Sequence, residues 1–178
     1  MTDERQRFEA LFRAHYPALT RYAVRRVGEN AAAEIVADAF LIAWRRLDDV
    51  PDEPLPWLYG VARRVIANER RRRGRADRLV DRIGGERVAP PGDPADLVGD
   101  RLRIRTALDR LSARDREVLL LAEWERLPPA DAAQVLGCST ATYHVRLHRA
   151  RRRIADLLRT DEDPAPVRPH LLTEETTP

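Results

Sequence analysis

Pro129-Ala-Asp-Ala-Ala-Gln-Val-Leu-Gly-Cys-Ser-Thr-Ala-Thr-Tyr-His-Val-Arg-Leu-His-Arg-Ala-Arg-Arg152 is the stretch on which the reading of this chain turns. Pro129 to Leu136 reads as a short helix with Ala132, Ala133 and Leu136 facing inward. Gly137-Cys138 reads as the turn, since glycine suits the left-handed conformation that ends helices. Ser139 is a good N-cap for a second helix. That helix carries Tyr143, Leu147, Ala150 and Ile154 at i, i+4, i+7 and i+11, a buried stripe. Its other side collects Ala141, Val145, His148, Arg149 and Arg152, with His144 on the flank. Two short helices about a glycine turn, the second basic outside and apolar inside, make a helix-turn-helix whose second helix suits the major groove. There arginine pairs bidentately with guanine, and Val145 or Ala141 can meet a thymine methyl. The plainer reading is an αα-hairpin with a solvated arginine face.

Working outward, helical periodicity dominates and strand signals are poor, so the chain reads as all-α. Phe8, Leu11, Phe12, His15 and Leu19 form the stripe of a first helix, which Pro17 is expected to kink or break. A second helix is expected from about Asn30 to Leu47, with Val36, Ala39, Phe40, Ala43, Trp44 and Leu47 inward. An Asp- and Pro-rich loop runs next, from Asp48 to Pro56. A third helix is expected from Trp57 to about Arg73, with Leu58, Val61, Ala62, Val65 and Ile66 on one side. Gly74, Gly84, Gly85, Pro90, Pro91, Gly92, Pro94 and Gly99 then break the period and read as a flexible linker. Leu108, Leu111, Val118, Leu119 and Leu121 supply a core for the second half of the chain. From Thr160 on, Pro164, Pro166 and Pro169 with five acids read as a disordered tail. The organisation is two small helical domains, 1–73 and 100–159, joined by a flexible linker over 74–99, with the tail 160–178 at the end.

Composition narrows the function. The chain has 178 residues, enough for one ordinary domain or two small ones. All 32 basic residues are arginine, which keeps its charge near neutrality and grips phosphate through a planar fork. The charge is segregated along the chain. Residues 61–78 hold eight arginines against Glu69 and Asp77, and 141–159 hold six against Asp156. Residues 28–53 hold seven acids against Arg45 and Arg46. Two separated basic blocks suggest two contacts with a polyanion. The lone Cys138 excludes an internal disulfide framework and a thiolate zinc cluster. No run approaches the roughly 18 apolar residues of a membrane span, and the first residues lack the apolar core of a signal peptide. The expected setting is cytoplasmic, with no membrane partner.

Three further faces stand out. On the second helix, Glu34, Asp38 and Arg45 surround Leu41 and Ile42, and apolar side chains flanked by acids suit a protein-binding surface. The alternative is that Leu41 and Ile42 pack against a neighbouring helix. The third helix presents Arg63, Arg64, Arg70 and Arg71 on an outer face shared with Gly60 and Ala67, where small residues would let a phosphate approach. Trp57 and Tyr59 can stack on unpaired bases, although Trp57 fits a core position better. No catalytic constellation emerges. His15, His144, His148 and His170 do not cluster with acids, no glycine-rich phosphate loop is present, and Glu34 with Asp38 lack the Glu-x-x-His partner of a carboxylate-bridged metal site. The expectation is no catalytic residue, no metal and no cofactor.

Four of these stretches together resemble a bacterial sigma factor of the extracytoplasmic-function (ECF) group, over about residues 5 to 158. Ala32-Ala-Glu-Ile-Val-Ala-Asp-Ala-Phe-Leu-Ile-Ala-Trp44 is similar to the family's segment for the polymerase clamp helices. Pro56-Trp-Leu-Tyr-Gly-Val-Ala-Arg-Arg-Val65, with Arg70 to Arg73 beyond it, is similar to its minus-ten segment. Ala107-Leu-Asp-Arg-Leu-Ser-Ala-Arg-Asp-Arg-Glu-Val-Leu-Leu120 is similar to the entry of its fourth region, and Leu136 to Arg151 to its minus-thirty-five recognition helix. Departures are Ala33 and Asn68 where acids are usual, Arg64 where Asn is common, and Pro128-Pro129 at the opening of the helix-turn-helix. They bear on the promoter sequence rather than on the class.

The resemblance implies a protein that binds core RNA polymerase through Glu34, Asp38, Leu41, Ile42 and Arg45 and directs promoter recognition and transcription initiation. It implies minus-ten DNA at Trp57, Gly60, Arg63, Arg64, Ala67, Asn68, Arg70 and Arg71, with the loop from Asp48 to Leu55 shaping a pocket for a flipped base. It implies minus-thirty-five DNA at Ser139, Thr140, Ala141, His144, Val145, His148, Arg149 and Arg152. The polymerase does the chemistry, so no enzyme activity and no cofactor are implied; an anti-sigma factor is admitted as a further partner. Two rivals remain open at this point: a helix-turn-helix regulator acting without polymerase, and a helical enzyme acting on nucleic acid with Glu34 and Asp38 as metal ligands.

Overall fold

The structure is a computed structural model that describes residues 2–81 and 99–162. Among the described residues all regular structure is helical. In chain order come α1 (Thr2–Val27), α2 (Glu29–Arg45), a 3-10 turn (Leu47–Asp49), α3 (Pro54–Asp81), α4 (Gly99–Arg110), α5 (Ala113–Leu119) running into a π-helical turn (Leu120–Trp124), α6 (Pro129–Leu136) and α7 (Thr140–Glu162).

α1 runs unbroken through Pro17, where the sequence suggests a kink or break. A proline inside a helix costs about 3 kcal/mol. Leu11 before it and Leu19, Tyr22 and Ala23 after it are all buried. Each large apolar side chain so buried contributes roughly 1.5–3 kcal/mol, so packing outweighs the local penalty. Gly28 turns the chain into α2 with φ at 77°, and its N–H closes on the Val24 carbonyl at 2.9 Å. α2 buries Ala32, Ile35, Val36, Ala39, Phe40 and Ala43. Trp44, expected inside, is 43% exposed; it lies one residue from the helix end and meets Phe8 edge-on at 5.0 Å. α3 buries Leu58, Tyr59, Val61, Ala62, Val65 and Ile66, the expected stripe with Tyr59 added. It continues to Asp81, eight residues past the expected end. Gly74 alone costs a helix only about 1 kcal/mol, and no proline stands between it and Asp81. Residues 82–98 of the expected linker and the tail from 163 lie outside the described residues.

α1, α2 and α3 pack pairwise, and α4, α5 and α6 each pack on α7. Ser112 caps α5, accepting from the Asp115 N–H at 3.1 Å while its hydroxyl donates to the Asp115 carboxylate at 2.8 Å. The two halves also touch each other: α6 lies against α3, and the buried apolar side chains of both halves join one continuous cluster.

Candidate nucleic-acid and polymerase interfaces

The helix-turn-helix forms as its residues dictate. Gly137 sits at φ 65°, ψ 44°, in the left-handed region. Its N–H donates to the Gln134 carbonyl at 3.1 Å, and the Cys138 N–H to the Ala133 carbonyl at 3.0 Å, the paired closure of a Schellman motif. Ser139 caps α7, accepting from the Thr142 N–H at 3.2 Å. Its side chain is therefore occupied locally. Tyr143, Leu147 and Ala150 are buried and Ile154 is half-buried. Burial pushes the Tyr143 hydroxyl above its usual range, with Arg151 opposing and Glu123 adding to the shift.

On the opposite face Thr140, Ala141, His144, Val145, His148, Arg149 and Arg152 are all exposed, Val145 at 51%. The arginines of α7 divide into two sets. Arg151 donates twice to Glu123, at 3.0 and 2.8 Å; Arg153 pairs with the buried Asp115, and Arg159 with Asp156. Arg146, Arg149 and Arg152 have no carboxylate partner among the described residues. Arg149 and Arg152 thus stand unpaired on the side of the helix that carries Val145 and His148, available to an external anion, with Arg146 on the flank.

The basic block of α3 is less open than the sequence suggests. Arg64 and Asn68 are exposed, and Arg63 and Ala67 half-buried. Gly60, expected on the outer face, is buried. Trp57 is half-buried and packs on the core. Arg70 donates to the Arg26 carbonyl at 3.0 Å and so ties α3 to the end of α1. Arg71 donates to the Asn68 side chain. Arg72 and Arg73 hold Glu69 at 2.9 and 2.7 Å, and these hydrogen bonds lower the Glu69 carboxyl below its usual range. A cavity of about 300 Å³ is lined by Arg46, Pro56, Trp57, Gly60, Arg64 and Gln134. It brings together Trp57, Gly60 and Arg64 as the sequence suggests, and adds two residues the sequence did not signal. Arg46 is steadied by Asp49 at 2.9 Å from the 3-10 turn, and Gln134 arrives from α6.

On α2, Glu34, Asp38, Leu41 and Arg45 are exposed, Leu41 at 46%. Ile42 is instead half-buried and packs on the core. An aromatic cluster of α1 and α2 also reaches the surface; the sequence placed Phe12 and Phe40 on inward stripes and did not signal Tyr16. Phe12 lies 4.7 Å from Phe40 and 4.9 Å from Tyr16, and Phe12 and Tyr16 are 37% and 41% exposed. Apolar surface flanked by acids is what a protein partner covers. Among the described residues no three His, Cys, Asp or Glu gather to hold a metal, and Glu34 and Asp38 stand without a third ligand. Among them too, no helix is long and apolar enough to cross a membrane.

Residues 11–76 match the family model of Sigma-70 region 2, and residues 101–154 that of Sigma-70, region 4. The chain is 36% identical over 148 residues to the ECF RNA polymerase sigma factor SigL of Mycobacterium tuberculosis, covering 79% of this chain and 82% of that protein. Among solved structures it is similar to the sigma factor RpoE from Bartonella quintana in complex with the anti-sigma factor NepR (TM-score 0.71, 28% identity, 86% of this chain and 98% of that one). It is similar also to CnrH in complex with the cytosolic domain of CnrY (TM-score 0.62, 29% identity, 86% and 88%).

Proposed function

Because the chain belongs to the ECF RNA polymerase sigma factors, which bind core RNA polymerase and direct it to promoters, we propose how its faces divide that work. The first unit, residues 1 to about 73 and built of α1, α2 and most of α3, serves the polymerase and the minus-ten element. α4 to α7, from about 100 to 159, serve the minus-thirty-five element; 74–99 connect them and 160–178 form a tail. Glu34, Asp38, Leu41 and Arg45 meet the polymerase, with Ile42 supporting Leu41 from below. Trp57, Gly60, Arg64 and Asn68 receive the melted strand, Arg63, Ala67, Arg70 and Arg71 flank them, and Arg46 with the 48–55 loop shapes the pocket. Thr140, Ala141, His144, Val145, His148, Arg149 and Arg152 read duplex DNA, and Ser139 sets the start of that helix.

The observation that carries this reading is the outer face of α7: Val145, His148, Arg149 and Arg152 lie exposed along it, and Arg149 and Arg152 have no carboxylate partner among the described residues. Joining two weak DNA contacts in one chain multiplies their effect through effective concentration. The chain itself supplies no catalysis, and its work is done in the cytoplasm beside the polymerase. An anti-sigma factor is a further proposed partner, since the Bartonella quintana relative is held by one. Run-off transcription with core polymerase on genomic fragments tests the reading: discrete transcripts that depend on this chain are expected, and the absence of any dependence would overturn it.

A further inference from the structure

The arginine run Arg70–Arg73 of α3 splits among different neighbours. Arg70 donates to the Arg26 carbonyl at 3.0 Å, which sets this turn of α3 against the corner between α1 and α2. Leu58, Ala62 and Val65 are buried along one stripe of α3, and Glu69 and Arg72 continue it at i+11 and i+14. The Glu69 side chain is 17% exposed, where the stripe leaves the core, and that of Arg72 is 68% exposed beyond it. The two meet at 2.9 Å through Arg72 Nε. Arg72 Nη1 and Nη2 have no bonded partner among the described residues. A planar fork presented in that way suits a carboxylate or a phosphate.

α2 supplies the setting. It packs on α3, and the short connection over 46–53 sends α3 back along it, so the turn that carries Arg72 returns to the first half of α2. There Glu34 and Asp38 stand exposed, one turn apart. The hydrogen bond and the charge of Glu69 raise the Arg72 guanidinium above its usual range; burial opposes the rise, and the charges of Glu34 and Asp38 add to it. Arg73 shares Glu69 at 2.7 Å. Arg72 is thus a basic point within an acidic surround, on the edge of α3 that adjoins the exposed face of α2.

The surround decides which anion the fork takes. A nucleic-acid backbone is negative throughout, so a strand that brings one phosphate to Arg72 brings others towards Glu34 and Asp38. A protein surface can alternate its charges, answering the two acids with basic groups and the arginine with a carboxylate. Complementarity of that kind fixes register and rejects wrong partners, because like charges set opposite each other are penalised. Arg72 therefore belongs with the α2 face rather than with the DNA-facing arginines of the same run.

We propose that Arg72, held by Glu69 beside Glu34 and Asp38, is a polymerase-contact residue that makes this face one of mixed charge, fitted to a protein surface with basic groups opposite the two acids and a carboxylate opposite the arginine. The inference rests on the reading of α2 as the polymerase face. It is tested in the full chain with R72E, R72Q and R72K, and with D38R beside them. Biolayer interferometry on immobilised core polymerase gives one affinity, and a dye-labelled single-stranded 20-mer of mixed sequence gives the other. R72E puts like charges opposite each other, so a loss of core affinity on the order of tenfold or more is expected, shrinking as salt is raised. R72Q should lose less than R72E, and R72K, which keeps the charge but not the fork, least. Binding to the 20-mer should be unchanged, and circular dichroism checks that the helices persist; R72Q and R72K carry the test should R72E lose them. Tighter core binding by R72E would show that Arg72 only offsets Glu34 and Asp38, and overturns the contact. Unchanged core binding overturns it as well, and a loss confined to the 20-mer assigns Arg72 to DNA instead. D38R separates the two claims: if D38R binds core as the parent does, the reading of α2 fails; if D38R weakens binding and R72E does not, only the Arg72 contact fails.

Discussion

Arg149→Ala and Arg151→Ala, two residues apart on one helix, should behave oppositely. Arg149 is exposed and has no carboxylate partner among the described residues, so its loss leaves the fold as it was. If it pairs bidentately with guanine, truncation costs about 1–3 kcal/mol of duplex binding, roughly a 5- to 150-fold loss, confined to the promoter position it reads. If it meets only phosphate, the loss is smaller, uniform across sequences, and the slope of log affinity against log salt falls by about 0.9. Arg151 is already engaged, donating two hydrogen bonds to Glu123. Both partners are about half exposed, so that pair contributes only about 0.2–1 kcal/mol to folding. Arg151→Ala should therefore lower the unfolding midpoint slightly and leave DNA affinity nearly unchanged. Fluorescence anisotropy with a minus-thirty-five duplex over a salt series, beside chemical denaturation, measures both effects. Equal losses of DNA affinity, or a larger loss for Arg151, would refute the claim that the unpaired Arg149, and not the engaged Arg151, meets DNA.

Asp38→Arg and Leu41→Glu should each weaken binding to core polymerase in a pull-down while leaving the helical circular dichroism intact; full binding by both would remove α2 from the interface. Gly137→Ala should destabilise the chain by about 1–2 kcal/mol, the cost of a left-handed alanine. A Cβ there meets nothing within 4 Å, so the penalty is in the backbone alone, and Gly137→Asn should cost less in urea unfolding. Burial lowers the His15 pKa, partly opposed by Glu53. The unfolded chain then binds the proton more readily than the folded one, so stability is full above about pH 6.5 and falls as acid protonates the unfolded state. His15→Gln should flatten that part of a pH–denaturation profile, and an unaltered profile would show that the proton is taken up elsewhere.

The helix-turn-helix was legible in the sequence because every signal it needs is local. Gly137 alone suits the left-handed turn, Ser139 caps within three residues, and the i, i+4, i+7 stripe of α7 is a property of one helix. The same holds for the inward faces of α2 and α3. Misreadings came where a local signal met a distant partner. Pro17 argues for a break, but Leu11 and Leu19 bury on both sides of it. Gly60 looks outward by helical phase, yet it is buried, with Gln134 of the second half beside it on the cavity wall. Trp44 and Phe12 have inward phase but sit at the rim of the α1–α2 contact, where no third helix covers them fully.

The charge runs show most directly where sequence reasoning stops. Composition and patterning established two basic blocks, an acidic stretch, and an all-helical chain with no local catalytic signature. Which arginines are free and which are bound to the protein's own acids is a tertiary matter. Arg151 meets Glu123 across 28 residues, and Arg25 meets Glu125 across 100. Periodicity places a side chain on a face of its own helix; it carries no information about what lies across from that face. Pairing, burial and the closing of one half over the other are decided by contacts between distant segments, and those exist only once the chain is folded.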